Sequence, residues 1–455
     1  MSLFKMRILY TSASVDIREE GLGGKTHFIE VAKNLKELGN SLLVLVSGYR
    51  PRNKISIEFP PSSILPLKGG GNGWGCNLNI KYIYIPAFPK RSVSYVVAEF
   101  FRFFYLTFYI LKFRPEVIYS REDKWGFSPP LLSFIFKIPY IVEVNGLISE
   151  ELKRYSHYPA WIMWLVVLSE KINYLFAKKI ICVAPGIKRE IVKRYKVREE
   201  NLAMISNGAN IKLFRPLENC RGRIHPTRGL DKSSPYNKQS KLCHYNFEIP
   251  DNEIECQKKL GLDENDFYLG FVGYFAPWQG LEILIDAANL VKKQGYPDIK
   301  YLIVGDGSGL KKSLQTRVEK YDLKKEILFL GHIKHKDIVY YINYFDVAVA
   351  PFTKKRNELT GVSPLKLYEY LACGKPVIAS RIEGVSEVVE EGRCGYLFDP
   401  ENATDLAEKI IQAYQERQYL TQLGTNGRKL IEEKYSWRKT AERIMEVVDR
   451  GLKVC

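Results

Sequence analysis

Lys366 and Glu369 stand three residues apart in "SPLKLYEYLACGKPVIAS" (363–380), a spacing that puts both on one face of a helix. Ser363 is expected to cap that helix, Pro364 suits its first position and Gly374 its end. The first turn of a helix offers unpaired amides to an anion. With a lysine beside it, such a start can hold a diphosphate. A carboxylate one turn later can accept two hydrogen bonds from a ribose diol. Leu367, Tyr370 and Leu371 are left to face a core. Taken alone, Lys366 and Glu369 are equally a solvated ion pair of little energetic consequence.

A second stretch, "GLGGKTHF" (21–28), ends in the Gly-Lys-Thr of a nucleotide phosphate loop. That loop needs a glycine five residues before Gly24, where Glu19 stands, and Glu20 adds a second acid that would repel phosphate. It is not a nucleotide P-loop. A tight turn leading into a helix is the plainer use of its glycines, which also let backbone approach a ligand closely. Two further groups lie at strand ends. Glu143 and Asn145 in "VEVNG" can orient a sugar or simply close their strand with hydrogen bonds. Arg121, Glu122 and Asp123 are expected to form a solvated charge cluster. The "GDG" at 305–307 reads as a strand-end turn.

These residues need a scaffold of parallel strands. Apolar runs alternate with helix-length amphipathic segments along the chain, the pattern of an α/β protein. Strands are expected at 6–11, 41–46, 80–85, 116–119, 139–144, 179–183 and 202–205, with helices at 24–38, 93–113, 126–136, 159–177 and 185–195. A second series places strands at 268–273, 300–305, 327–331, 347–352, 376–380 and 395–398. Segment 48–79 is expected to be a mobile loop. Residues 217–258, polar and without apolar periodicity, are expected to be a poorly ordered insertion. The expected architecture is two Rossmann-like doubly wound domains, 1–215 and 263–435, facing each other across a cleft. Residues 216–262 would link them, and a last helix at 436–455 would pack back on the first domain.

The formal net charge of +17 is unevenly spread. Residues 1–200 hold 30 Lys/Arg against 17 Asp/Glu, residues 201–260 hold 10 against 6, and beyond 260 the charges cancel. A basic first half beside the aromatic helices "FFRFFYLTFYILKF" (100–113) and "AWIMWLVVL" (160–168) fits an anionic membrane surface. Arg102 and Lys112 interrupt the first of these, and the second is too short to cross a bilayer. No signature of a nucleic-acid recognition module accompanies the charge, and no secretory leader is read at the start. The eight cysteines form no C-x-x-C pair and are expected as free thiols. Cys220, His225, Cys243, His244 and Cys256 match no zinc spacing, so no metal site is expected.

A series of motifs resembles, in order, the family-4 retaining glycosyltransferases, which have the GT-B fold. They are "GGKTHFIEVAKNLKELGN", "VEVNG", "ISNGANIKLF", "FVGYFAPWQGLEILIDA", "IVGDGSG", "FLGHI", the 363–380 segment, "EGVSEVVEEGRCGYLFDP" and "YSWRKTAERI". The resemblance spans nearly the whole chain except 48–79 and 217–258. It implies a nucleotide-sugar donor, with Glu369 on the ribose and the amides around Ser363, Pro364 and Leu365 on the diphosphate. His332 and Ile333 would lie against the base. Gly23 and Gly24 would face the donor from across the cleft, and Gly273 and Gly305 would line its side of the nucleotide.

The departures are specific. After "FVG" the family usually supplies an arginine and then a lysine for the phosphates, where this chain has Tyr274 and Gln279. A sugar-contacting glutamate is replaced by Gly361, and a histidine after the 139–144 strand by Asn145. Lys366 is the expected substitute cation, with Lys354, Lys355 and Arg356 on an adjacent loop, and Lys25, in reserve. The implied reaction moves a sugar to an acceptor hydroxyl with retention of configuration. The departing phosphate oxygen would take the acceptor's proton, so neither metal nor cofactor is required. Lys366, Glu143 and Asn145 are the catalytic candidates. The expected acceptor is a glycan or lipid-linked hydroxyl at the inner face of the cell membrane, met by a cytoplasmic, peripheral protein. Two rival classes are a non-catalytic nucleotide-sugar-binding subunit and a nucleic-acid-binding protein.

Overall fold

The computed structural model describes residues 5–12, 23–49, 80–87, 92–123, 125–155, 158–217, 262–263, 265–307 and 309–452. The expected mobile loop, apart from its first residues, and the expected insertion lie outside the described residues, as do the cysteines and histidines considered for zinc.

Seven strands, β1 (Arg7–Ser12), β2 (Ser41–Tyr49), β3 (Lys81–Ala87), β4 (Val117–Arg121), β5 (Tyr140–Val144), β6 (Lys179–Cys182) and β7 (Leu202–Met204), form one sheet. Its order is β3-β2-β1-β4-β5-β6-β7, and every pairing is parallel. A second parallel sheet holds β8 (Phe267–Val272), β9 (Ile299–Val304), β10 (Ile327–Gly331), β11 (Val347–Ala350), β12 (Val377–Ser380) and β13 (Gly395–Phe398). It runs β10-β9-β8-β11-β12-β13. The strands are short apolar runs because both faces are covered: every residue of β5, β8, β11 and β12 is buried. Each sheet has two core clusters, one per face. This is the doubly wound architecture expected from the alternation of segments.

In both sheets the strand order reverses beside the first strand, between β1 and β4 and between β8 and β11. Ligand crevices open at the carboxyl ends of strands at such points. Those ends carry the residues singled out above. The last helix, Trp437–Leu452, buries Trp437, Ala441, Ile444, Met445 and Val448 against the same cluster as Phe28, Val31 and Leu35 of the Gly23–Glu37 helix. The chain thus crosses back after the second sheet and ties the two halves together.

Three expectations are corrected. A helix at Ile148–Tyr155 follows β5 directly, where no element was expected. Lys354, Lys355 and Arg356 open a short helix, Lys354–Thr360, rather than lying on a loop. Glu122 and Asp123 are buried, not solvated. Asp123 accepts a hydrogen bond from Ser12 and pairs with the buried Arg102 at 3.0 Å. Glu122 accepts from the Tyr174 hydroxyl at 2.6 Å. Burial, with Glu170 nearby, pushes the Glu122 carboxyl well above the usual range. Among the described residues, Cys182, Cys373 and Cys394 are free and buried, no cluster of metal-ligating side chains occurs, and no helix is long and apolar enough to cross a membrane.

Candidate active site

The helix that carries Lys366 and Glu369 runs from Leu365 to Ala372, one residue later than a Ser363 cap would start it. Pro364 holds the position before the helix in extended backbone, and Ser363 does not cap it. The Ser363 hydroxyl instead accepts from the Asn207 amide at 2.9 Å and meets the Tyr368 hydroxyl at 2.9 Å. Leu367, Tyr370 and Leu371 are fully buried. Gly374, at φ +69°, ends the helix with the left-handed residue that glycine adopts freely.

Lys366 turns its amine inward. Its Nζ donates to Gln279 Oε1 at 2.7 Å and lies 3.9 Å from the centre of the Phe271 ring. Burial lowers the amine to about 7, and the nearby Glu369 opposes that only in part. Gly273 makes the room: a Cβ there would stand 2.6 Å from the Lys366 amine. Gly305 packs as closely, since its Cβ would lie 1.9 Å from the Gly273 carbonyl oxygen. Backbone at the ends of β8 and β9 therefore forms a flush shelf beside the lysine.

Glu369 is nearly buried and places Oε1 2.8 Å from His335 Nε2. Burial would lower the His335 ring, but the Glu369 carboxylate and Glu30 outweigh it and the ring is raised above its ordinary value. His335 therefore orients Glu369, and a carboxylate with one oxygen engaged keeps lone pairs for two hydroxyl donors. The contact joins residues 34 apart in the chain, with no local pattern to announce it. His332, three residues earlier, is exposed, while Ile333 is partly buried against the core.

Across the cleft, Glu143, next to last in β5, is almost completely buried. Asn145 Nδ2 donates to its Oε1 at 2.6 Å, the Tyr119 hydroxyl donates to Oε2, and His27 Nε2 lies 2.6 Å from Oε1. Burial alone would raise this carboxyl. The charge and hydrogen bonding of His27, with Arg121 and Tyr119, overcome it and hold the group at about 2. Gly24 lies in the first turn of the Gly23–Glu37 helix, and Arg121 donates to its carbonyl oxygen at 2.7 Å. The guanidinium stands 3.4 Å from where a Gly24 Cβ would be. Neither His27 nor His335 was singled out by spacing, although His27 sits inside the glycine stretch.

Between the two sides lies a cavity of about 230 Å³. Asn145, Asn207, Trp278, Gln279, Gly361 and Ser363 are among its walls. Of the residues expected in the site, Asn145, Gln279, Ser363 and Pro364 line this cavity directly, and Lys366 reaches it through Gln279. Glu143 stands one hydrogen bond behind Asn145. Gly23, Gly24, Gly273, Gly305, His332, Ile333, Leu365 and Glu369 are outside the lining. Lys354 is exposed at the start of its own helix, away from the cavity walls.

Two facing doubly wound domains with a cleft between the carboxyl ends of their strands are the GT-B architecture. The family comparison agrees. The model of the Glycosyltransferase Family 4 matches residues 22–213, and that of the glycosyl transferases group 1 matches residues 252–430. The chain belongs to the family-4 GT-B glycosyltransferases, and it is an enzyme of that class. It is 32% identical to an uncharacterized glycosyltransferase of Methanocaldococcus jannaschii over 42% of this chain, a match that spans only 51% of the relative's length. It is 24% identical to the capsular polysaccharide biosynthesis glycosyltransferase CapM of Staphylococcus aureus, over 75% of this chain and 78% of that protein. The fold superposes on the crystal structure of HepE from Anabaena in complex with UDP with a TM-score of 0.68, at 19% identity, over 98% of this chain and all of HepE.

Proposed function

We propose that the protein transfers a sugar from a nucleotide-sugar donor, a UDP- or GDP-sugar, to a hydroxyl of a glycan or lipid-linked acceptor, retaining anomeric configuration. The observation that carries this is the helix Leu365–Ala372, whose first turn opens on the cleft with Lys366 and Glu369 both turned inward. Breaking the bond between C1 and the phosphate oxygen leaves negative charge on the diphosphate. The helix amides and Lys366 stabilise that charge as it develops. Glu369, oriented by His335, takes the ribose hydroxyls. The departing phosphate oxygen takes the proton of the attacking hydroxyl, so the balance closes without a protein nucleophile or metal. Asn145, fixed by Glu143, orients the sugar or acceptor in the cavity. The relatives support the substrate classes, since one acts in capsular polysaccharide biosynthesis and one structural neighbour holds UDP.

The membrane assignment is part of the same proposal. Phe100, Phe104, Phe108 and Leu111 form one exposed stripe on the Ser92–Phe113 helix. Leu131 and Phe134 on the next helix and Trp161 and Trp164 on the Ala160–Phe176 helix extend it. With the excess of basic residues in the first half, this surface suits the anionic inner face of a cell membrane.

A second reading, a binding subunit without turnover, draws on Tyr274, Gln279 and Gly361 standing where the family usually has phosphate and sugar ligands. A thermal-shift screen of UDP-glucose, UDP-galactose, UDP-N-acetylglucosamine and GDP-mannose, followed by hydrolysis of the best binder, separates them. Slow hydrolysis that rises with added lipid extract supports transfer, and binding without turnover under all conditions supports the subunit.

A further inference from the structure

Neither half of the proposed mechanism uses His27, yet this ring stands in a line of contacts that joins the two. It is 3% exposed and sits between Glu143, at the sugar-facing side, and Asn207, which is bonded to the start of the Leu365–Ala372 helix. The contacts form an unbroken line. Asn145 Nδ2 donates to Glu143 Oε1 at 2.6 Å, and that oxygen lies 2.6 Å from His27 Nε2. His27 Nδ1 lies 2.6 Å from Asn207 Oδ1. Asn207 then grips Ser363 twice, its backbone amide donating to the hydroxyl at 2.9 Å and its Nδ2 to the carbonyl oxygen at 2.6 Å.

The polarity of the Asn207 contact is fixed by its partners. Asn207 spends its Nδ2 on the Ser363 carbonyl, so its oxygen is the atom left to face the ring, and Nδ1 must donate to it. His27 thus touches Glu143 and Asn207, both of the first domain, and Asn207 carries the contact across the cleft to Ser363. The Trp437 ring meets the imidazole edge-on at 5.1 Å and holds its plane. Asn145 and Ser363 are both walls of the cavity. Their separation is set through three buried residues, Glu143, His27 and Asn207.

We propose that His27 is a positioning residue for transfer: it holds the Glu143–Asn145 face and the Ser363 face of the cleft at one working distance. This rests on the reaction proposed above. An error of about 1 Å in such placement costs on the order of 10²-fold in rate without necessarily weakening binding. The nucleotide's own ligands, Lys366 and Glu369, are not in the line.

The test is a cycle of His27→Gln, Asn207→Ala and the double variant, assayed on whichever of the four nucleotide sugars the wild type turns over. Each single variant is expected to lower kcat about 10²-fold, with KM for the donor and UDP or GDP affinity within about threefold of wild type. The double variant should lose no more than the worse single, because both break one line. Tm measured alongside guards against misfolding, and Asn207→Ala carries the test if His27→Gln does not fold. Single variants with wild-type kcat, or losses that multiply in the double variant, overturn the proposal. A wild type that neither binds nor turns over any of these donors instead counts against the reaction itself.

Discussion

Lys366 Nζ donates a hydrogen bond to Gln279 Oε1 at 2.7 Å, and Gln279 stands where related enzymes usually carry a lysine for the phosphates. In the proposed reaction Lys366 supplies the cation that this turn lacks. Its amine, packed against Phe271 and lowered by burial to about 7, is poised between charge states before a ligand arrives.

A bound diphosphate favours the charged amine, so its affinity for a proton rises on binding. Between about pH 7 and the pKa in the complex, each nucleotide bound takes up as much as one proton, and affinity falls by up to tenfold per pH unit. Below about pH 7 Lys366 is charged in both states and adds no slope. Calorimetry of UDP or GDP binding at pH 8 in buffers of different ionisation enthalpy reads the uptake directly. Lys366→Met should abolish the uptake and flatten the profile from pH 7.5 to 9.5.

Glu369 is expected to recognise the ribose through charge-assisted hydrogen bonds worth about 1.5–3 kcal/mol. The 2′-deoxy form of the preferred nucleotide should therefore bind the wild type roughly 10- to 100-fold more weakly. In Glu369→Gln the two nucleotides should differ by less than about threefold. His335→Ala, which leaves the carboxylate present but unoriented, should fall between. Parallel titrations of the two nucleotides decide this.

Gly424 tests the support beneath the site. Alanine in a helix interior is normally favoured over glycine by about 1 kcal/mol. Here a Cβ would stand 1.9 Å from the Gly374 carbonyl oxygen, at the end of the helix that carries Glu369. The contact is backbone, which does not yield as a side chain would, so the clash outweighs propensity. Gly424→Ala should lower stability by about 1–3 kcal/mol, seen as a reduced Tm, rather than raise it.

The aromatic surface makes a separate prediction. Phe104, Trp161 and Trp164 are 50%, 62% and 63% exposed. Full burial of each such ring is worth about 1.5–3 kcal/mol. Replacing all three by serine should reduce flotation with phosphatidylglycerol-containing vesicles by more than 10²-fold, leaving nucleotide affinity intact. Wild-type protein that stays at the bottom of the gradient contradicts the membrane assignment alone.

Much of this architecture was legible because its signals are local. Strands buried on both faces read as short apolar runs, and β5, β8, β11 and β12 lie where such runs fall. What escaped depends on distant partners. Glu122 and Asp123 look like surface charges until Tyr174, Arg102 and Ser12 are folded onto them. His335 has no sequence neighbour that marks it, because Glu369 is 34 residues on. Ser363 carries the right chemistry for a cap, but Asn207, 156 residues away, takes its hydroxyl and the helix begins later. The charged Lys354–Thr360 helix shows no apolar stripe to separate it from a loop.

The most direct measurement is a crystal structure of the protein with UDP or GDP, whichever binds tighter. The account expects the diphosphate against the amides of Leu365 and Lys366, with the Lys366 amine turned from Gln279 onto a phosphate oxygen and the ribose hydroxyls on Glu369. A nucleotide bound elsewhere, leaving the Lys366–Gln279 and Glu369–His335 contacts undisturbed, would contradict it.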